Sequence, residues 1–150
     1  MKLRKRIVYA WRIKGGYIAS LKSGEEVAPH NRFVLGGANT IRGFKERSLG
    51  PKSISESGEY LPDGGNFYAL TSFELRFPIY WRFYGQVFAD IGNLWPDITD
   101  ARISELKVTA GPGIAVATPV GPIRLDYGFQ LVNPAEGYNK RLHLSILYAF

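Results

Sequence analysis

Apolar residues recur mostly at every second position along the chain, the spacing of a strand with one oily and one polar face. Between Phe67 and Ile79 the odd positions are Phe67, Ala69, Thr71, Phe73, Leu75, Phe77 and Ile79, while the even ones include Ser72, Glu74 and Arg76. Phe83, Gly85, Val87, Ala89 and Ile91 repeat the pattern against Tyr84, Gln86, Phe88 and Asp90, which predicts a hairpin turning at Tyr80-Trp81. Leu106 to Thr118 alternates more weakly, and Pro119, Gly121 and Pro122 mark a turn. Beyond it Ile123, Leu125, Tyr127, Phe129 and Leu131 oppose Arg124, Asp126, Gly128 and Gln130. Leu142, Leu144, Ile146, Tyr148 and Phe150 end the series, and Ile7, Tyr9, Trp11 and Ile13 against Arg6, Arg12 and Lys14 begin it. The pattern predicts an all-β, antiparallel unit over 1–150 with about six strands, roughly 4–21, 66–79, 82–94, 106–119, 123–132 and 142–150, and a long loop over 32–65.

Alternation alone also describes a soluble sheet with one face on a core. The chemistry of the faces points to a transmembrane β-barrel segment instead. Phe67, Phe73, Phe77, Phe83, Trp95, Tyr127, Phe129, Tyr148 and Phe150 fall mainly toward strand ends, where an interfacial girdle sits, and Glu74, Arg76, Asp90, Arg124 and Asp126 occupy the middle of the other face. Short connections at Tyr80-Trp81 and Val120 to Pro122 alternate with long ones at 32–65, 97–105 and 133–141, the asymmetry of outer-membrane barrels. Closing such a barrel takes about eight strands, so the chain is expected to be part of a longer protein or to assemble from several copies. A soluble all-β binding module, its charged face in water, is the alternative from another class.

Composition narrows the chemistry. With 45% apolar residues in 150, one folding unit is the natural expectation. The absence of cysteine removes disulfides and thiolate metal sites. No apolar run approaches the roughly 20 residues of a membrane-spanning helix. Lys2, Arg4, Lys5 and Arg6 imitate the start of a signal peptide, but Trp11, Arg12, Lys14 and Gly15-Gly16 stand where its apolar segment belongs, so no targeting signal is read and a missing amino-terminal part is expected. The net charge of +6 invites a nucleic-acid reading, yet the basic residues of the first strand share one parity, as a wet barrel wall also requires, and no nucleic-acid partner is expected. There is no Gly-x-Ser-x-Gly elbow, and His30 and His143 are far apart and form no zinc spacing. Glu25-Glu26 reads as a solvated turn, and Pro112 between Gly111 and Gly113 contradicts a nucleotide loop and fits a tight strand crossing. No catalytic residue, metal or cofactor is expected.

The loop over 32–65 is too long for an ordinary hairpin, and loops of that length usually carry function or are disordered. Its residues Arg32, Phe33, Leu35, Gly36, Gly37, then Ile41, Arg42, Gly43, Phe44, then Leu49-Gly50-Pro51 resemble the signature loop of the outer-membrane assembly-factor superfamily, the BamA and TamA type also described as bacterial surface antigens. Further blocks follow in the same order: Gly65-Asn66 with Ser72 to Pro78, Phe88 to Trp95, Gly111 to Gly113, and Thr118 to Tyr127, so that the resemblance covers 32–150. It implies the carboxy-terminal part of a larger barrel whose matching loop folds back into the lumen. It also implies a non-enzymatic factor for assembling, inserting or translocating proteins at the bacterial outer membrane. The implied partners are outer-membrane lipid, unfolded outer-membrane clients, the earlier barrel strands and periplasmic repeat domains. A related branch that exports a dedicated partner or anchors an enzyme domain is the other reading within the family.

Two groups of site residues follow. A guanidinium on a re-entrant loop needs carboxylate or aromatic partners, and Glu74, Asp90 and Phe88 share the charged parity. By resemblance, Arg42 of the Ile41-Arg42-Gly43-Phe44 motif is expected to bond the Glu74 and Asp90 pair, with Gly43 allowing close approach and Phe44 packing as an anchor; the plain alternative is an exposed, mobile arginine. His143, Ser145, Tyr148 and Phe150 resemble the terminal recognition signal of outer-membrane barrels, with Ser145 in place of the usual glycine. An unpaired terminal strand can be recognised by strand addition, or can simply seal the barrel.

Overall fold

A computed structural model describes residues 6–21 and 24–146; Tyr148 and Phe150 of the terminal signal lie outside the described residues. In chain order the strands are β1 (Val8–Tyr17), β2 (Lys52–Ile54), β3 (Tyr60–Pro62), β4 (Phe67–Tyr80), β5 (Phe83–Trp95), β6 (Lys107–Thr118), β7 (Gly121–Val132) and β8 (Lys140–Ile146). Six of them form one antiparallel sheet in the order β1-β4-β5-β6-β7-β8, with β1 and β8 its open edges among the described residues. Each neighbour pair is also consecutive in the chain except β1 and β4, between which the long loop carries the separate β2–β3 hairpin.

Register keeps the two chemistries apart across all six strands. Trp11 pairs with Phe73, Phe73 with Ala89, Ala89 with Ala110, and Ala110 with Phe129, all on the apolar face. On the other face Ser72 pairs with Asp90, Asp90 with Thr109, and Asp126 with His143. The burial of these faces is the reverse of a soluble sheet. Tyr9, Trp11, Ile13, Phe73, Val87, Ile114, Leu125, Phe129, Leu142 and Leu144 are exposed, whereas Gln86, Asp90, Thr109, Arg124, Asp126, Gln130 and His143 are buried.

What buries the charged face is the long loop. Leu35, Ile41, Phe44 and Leu49 from the loop pack with Leu70 of β4 and Leu94 of β5 as an apolar cluster, with Phe33, Tyr68 and Ala135 against it. Two isolated bridges, Leu35 to Leu49 and Phe33 to Gly65, hold the loop's shape. Its apolar residues therefore act as a core on one side of the sheet, and its polar residues meet the charged rows.

Several details differ from the sequence reading. Among the described residues the first strand spans Val8–Tyr17 and stops short of 21, because pairing ends where β4 begins: Tyr17 faces Phe67, and Ile18 N–H donates the last rung to Asn66. The β4–β5 turn falls at Trp81-Arg82, with Trp81 in the left-handed region. The β2–β3 hairpin, turning at Gly58, has strands too short to show a period. Trp95 does end β5, but it is buried rather than displayed in a girdle, stacked on Phe67 and donating to Glu105 at 2.8 Å. Among the described residues no helix is long and apolar enough to cross a membrane, which leaves crossing by strands untouched.

Phe44 is 1% exposed in the loop cluster, so Phe44→Ala is expected to cost about 3–5 kcal/mol. Denaturant unfolding should show that loss, and limited proteolysis should cut first within 32–65 while the strand signal in circular dichroism persists.

Candidate functional site

Alternation brings one side chain in two from every strand to the covered face, and the loop lowers Ile41 to Phe44 onto them. Arg42 meets Asp90 through three hydrogen bonds: its backbone N–H to Oδ2 at 3.1 Å, Nε to Oδ2 at 2.8 Å and Nη2 to Oδ1 at 2.7 Å. The two side-chain bonds form a fork-on-carboxylate pair, the geometry that suits guanidinium best. Nη1 donates to Glu74 Oε1 at 2.7 Å and lies 3.5 Å from Asp126 Oδ2. The guanidinium carbon stands 3.7 Å from the centre of the Phe88 ring, a cation–π contact beneath the ion pair.

Sequence reasoning paired Arg42 with two acids, but the structure surrounds it with more. Arg124 Nε lies 2.8 Å from Asp126 Oδ2, as an ion pair without hydrogen-bond alignment, and Arg124 Nη1 is 3.6 Å from Glu74. Gln86 donates to Asp126, and Arg76 to the second oxygen of Glu74. Three carboxylates, two buried arginines and one half-exposed arginine thus form one network across β4, β5, β7 and the loop. Removing such charges from water is costly, and only full pairing offsets it. For Arg42, burial works against the charge, but the hydrogen bond and charge of Asp90, with Glu74 and Asp126 behind them, raise its pKa and keep it ionised.

The next residue takes the loop across the sheet. Gly43 N–H donates to His143 Nε2 of β8 at 2.9 Å, and its carbonyl accepts from Gln130 Nε2 of β7 at 2.6 Å. Gly43 is in the left-handed region, φ 93°, and lies directly on Gly128, where a Cβ would stand 2.5 Å from Gly43 N. On β6, a Cβ at Gly113 would collide with Asp126 and Gln86. Gly113 leaves room for Gln86 of β5 and Asp126 of β7 to meet over β6, and Gly128 leaves room for the loop backbone.

Of the residues singled out from sequence, Arg42, Glu74, Phe88 and Asp90 come together, and Ile41 and Phe44 sit in the apolar cluster beside them. His143 contacts the loop rather than belonging only to the last strand. Ser145 is half-buried opposite Arg124, its hydroxyl without a hydrogen-bond partner among the described residues. Sequence reasoning missed Gln130 and Gly128 as loop-seating residues, and missed that Arg124, Asp126 and, through Asp126, Gln86 join the Arg42 network. Their parity, shared with Glu74 and Asp90, was the available signal. Among the described residues no group of His, Cys, Asp or Glu is arranged to hold a metal ion. The carboxylates are occupied by guanidinium groups, and what the arrangement can do is fasten a loop to a wall.

Comparison with known proteins places this geometry. The sequence profile of the Omp85 superfamily domain matches residues 1–150. The chain is 27% identical over 163 aligned residues to the outer membrane protein assembly factor BamA of Neisseria meningitidis, covering 89% of this chain and 20% of that protein. It is 32% identical over 124 residues to the chloroplastic outer envelope protein 80 of Arabidopsis thaliana, covering 75% of this chain and 15% of that one. It thus spans no more than a fifth of the length of these two curated relatives. The crystal structure of Haemophilus ducreyi BamA lacking POTRA domains 1–3 superposes with a TM-score of 0.73 at 23% identity, over 92% of this chain and 30% of that one, a likeness of fold.

Asp90 is fully buried and takes three bonds from Arg42, whereas Glu74 is 10% exposed in its side chain and also serves Arg76. Asp90→Asn is therefore expected to destabilise by about 3–5 kcal/mol and Glu74→Gln by less. Denaturant midpoints of the two variants, compared with wild type, check the order.

Proposed function

Since the chain belongs to the Omp85 superfamily, we propose that it is the carboxy-terminal part of an outer-membrane barrel that assembles or inserts other barrel proteins at the bacterial outer membrane. The observation that carries this reading is the inverted burial: an exposed apolar face over six strands, and a charged face enclosed beneath a loop. Monomeric soluble proteins rarely expose apolar patches beyond a few hundred Å², so such a face calls for hydrocarbon. On this reading the charged face lines the lumen, and the Arg42 network holds the loop inside it.

The open edges of β1 and β8 need further strands, which a longer polypeptide supplies, and the periplasmic repeat domains of the family would deliver unfolded clients. The work is mechanical. A strand edge is a template for another strand, and a barrel wall that locally perturbs the bilayer lowers the barrier to insertion. The contacts made by Arg42 supply the rigid reference against which that edge is held.

Reversing the charge tests the clamp. In the full-length protein, Arg42→Glu should lower the amount of folded client barrels in the outer membrane several-fold, and a second change of Glu74 or Asp90 to Arg should restore part of it. Wild-type client levels in Arg42→Glu would overturn the proposed role. The lipid-facing assignment has its own test, because Val87 is exposed on the apolar face in the middle of β5. Val87→Arg should cost about 2–4 kcal/mol when folding is measured into bilayers, the range for an arginine near the midplane; a negligible change would show that this face meets water.

A further inference from the structure

The hydrogen bonds of Gly43 lead beyond the clamp. Among the described residues β8 is an edge strand, held by a ladder to β7 alone. Both backbone polar groups of Gly43 are taken by side chains of that final hairpin, the N–H by His143 on β8 and the carbonyl by Gln130 on β7. Gln130 Oε1 in turn accepts from Ala135 N–H at 2.6 Å, and Lys45 N–H donates to the Tyr138 hydroxyl at 3.0 Å, so the β7–β8 connection is tied to the same place. Gly43 and His143 are both buried, so water does not replace their bond when it breaks. As an acceptor, His143 Nε2 carries a lone pair, which makes the ring neutral with its proton on Nδ1.

Arg42 and Gly43 are consecutive, and the first is fixed to β4 and β5 while the second is fixed to β7 and β8. The loop therefore bridges from the middle of the sheet to its last strand over β6. We propose that His143 is a positioning residue through which docking of the Arg42 loop holds the terminal edge strand in register. A two-residue slip of β8 moves its side chains by about 6.6 Å, far outside hydrogen-bond reach of Gly43, so with the loop seated only one register keeps the bond. With the loop displaced, β8 keeps its ladder to β7 but loses this second attachment, and its free edge can shift or peel. The consequence for client assembly rests on the function proposed above, whereas the coupling between loop and strand stands on the contacts alone.

Backbone amide exchange on the full-length protein in lipid or detergent tests it. His143→Phe keeps a ring but removes the acceptor; exchange should speed up on the order of tenfold in both 41–45 and 140–146, with 67–80 unchanged, as expected for one buried hydrogen bond lost. His143→Gln, whose amide oxygen can take the place of Nε2, should restore protection. Arg42→Met should also speed exchange in 140–146, although no hydrogen bond or ion pair of Arg42 reaches β8. Unchanged protection of 140–146 in Arg42→Met, or a Gln variant no better than Phe, would overturn the coupling and leave His143 a packing residue. Client assembly scored on the same variants separates the two claims. Coupling without loss of assembly in Arg42→Met would count against the assembly role alone, and loss of assembly without coupling would sink only this inference.

Discussion

A guanidinium can leave water only where carboxylates replace its hydration, and that requirement governs the arrangement around Arg42. Asp90 supplies a two-point acceptor, Glu74 a third bond, and Phe88 a π face, while Arg124 offsets the extra acid at Asp126. Each partner sits on a different row or strand, so the socket exists only when β4, β5 and β7 hold their registers. The glycines of β6 and β7 follow from the same constraint, since any side chain at Gly113 or Gly128 would stand where the network or the loop backbone lies. The apolar cluster of Ile41, Phe44 and Leu49 then secures the loop that delivers the charge.

Inverted burial gives this network its setting. In a soluble sheet the oily face makes the core, and the charged face needs no partners because water solvates it. Here the loop covers the part of the charged face around Asp90 and Asp126, so the ionised groups buried there must find protein partners, and the buried arginines and acids form one connected set rather than scattered surface pairs. The exposed apolar face cannot supply stability in water; it does so only against hydrocarbon or another apolar surface. The two faces thus call for different surroundings, which is the physical content of a membrane wall.

Much of this was legible in the chain because a period of two assigns a face to every residue once a strand is recognised. Parity alone put Glu74, Phe88, Asp90, Arg124 and Asp126 on one side, and the motif at Ile41 to Phe44 pointed to the loop that meets them. Parity does not say which row a loop crosses, and so the contacts of Gly43 with Gln130 and His143, a hundred residues away in the second case, were out of reach. Nor does it fix ends: β1 stops at Tyr17 because its partner strand begins at Phe67, a fact about another segment. The β2–β3 hairpin is three residues per strand, too short for alternation to register, and buried Trp95 bonds Glu105 on a connection that carries no periodic signal.

The two halves of the loop's attachment differ in kind, and the difference has a consequence. Charge-assisted bonds to Asp90 and Glu74 are strong and tolerant, because a guanidinium keeps much of its attraction if it moves a fraction of an ångström. The neutral bonds of Gly43 to His143 and Gln130 are weaker and lose most of their value when distance or angle changes slightly. The ionic half therefore determines whether the loop is docked, and the neutral half determines where the last hairpin stands once it is. A backbone group is the natural element for the second task, since its position follows the loop's fold and carries no rotamer of its own. Glycine is needed on both sides of that contact: Gly43 holds a φ of 93° that L side chains rarely adopt, and a Cβ on Gly128 would stand 2.5 Å from Gly43 N, where the backbone must lie for its N–H and carbonyl to reach the final two strands.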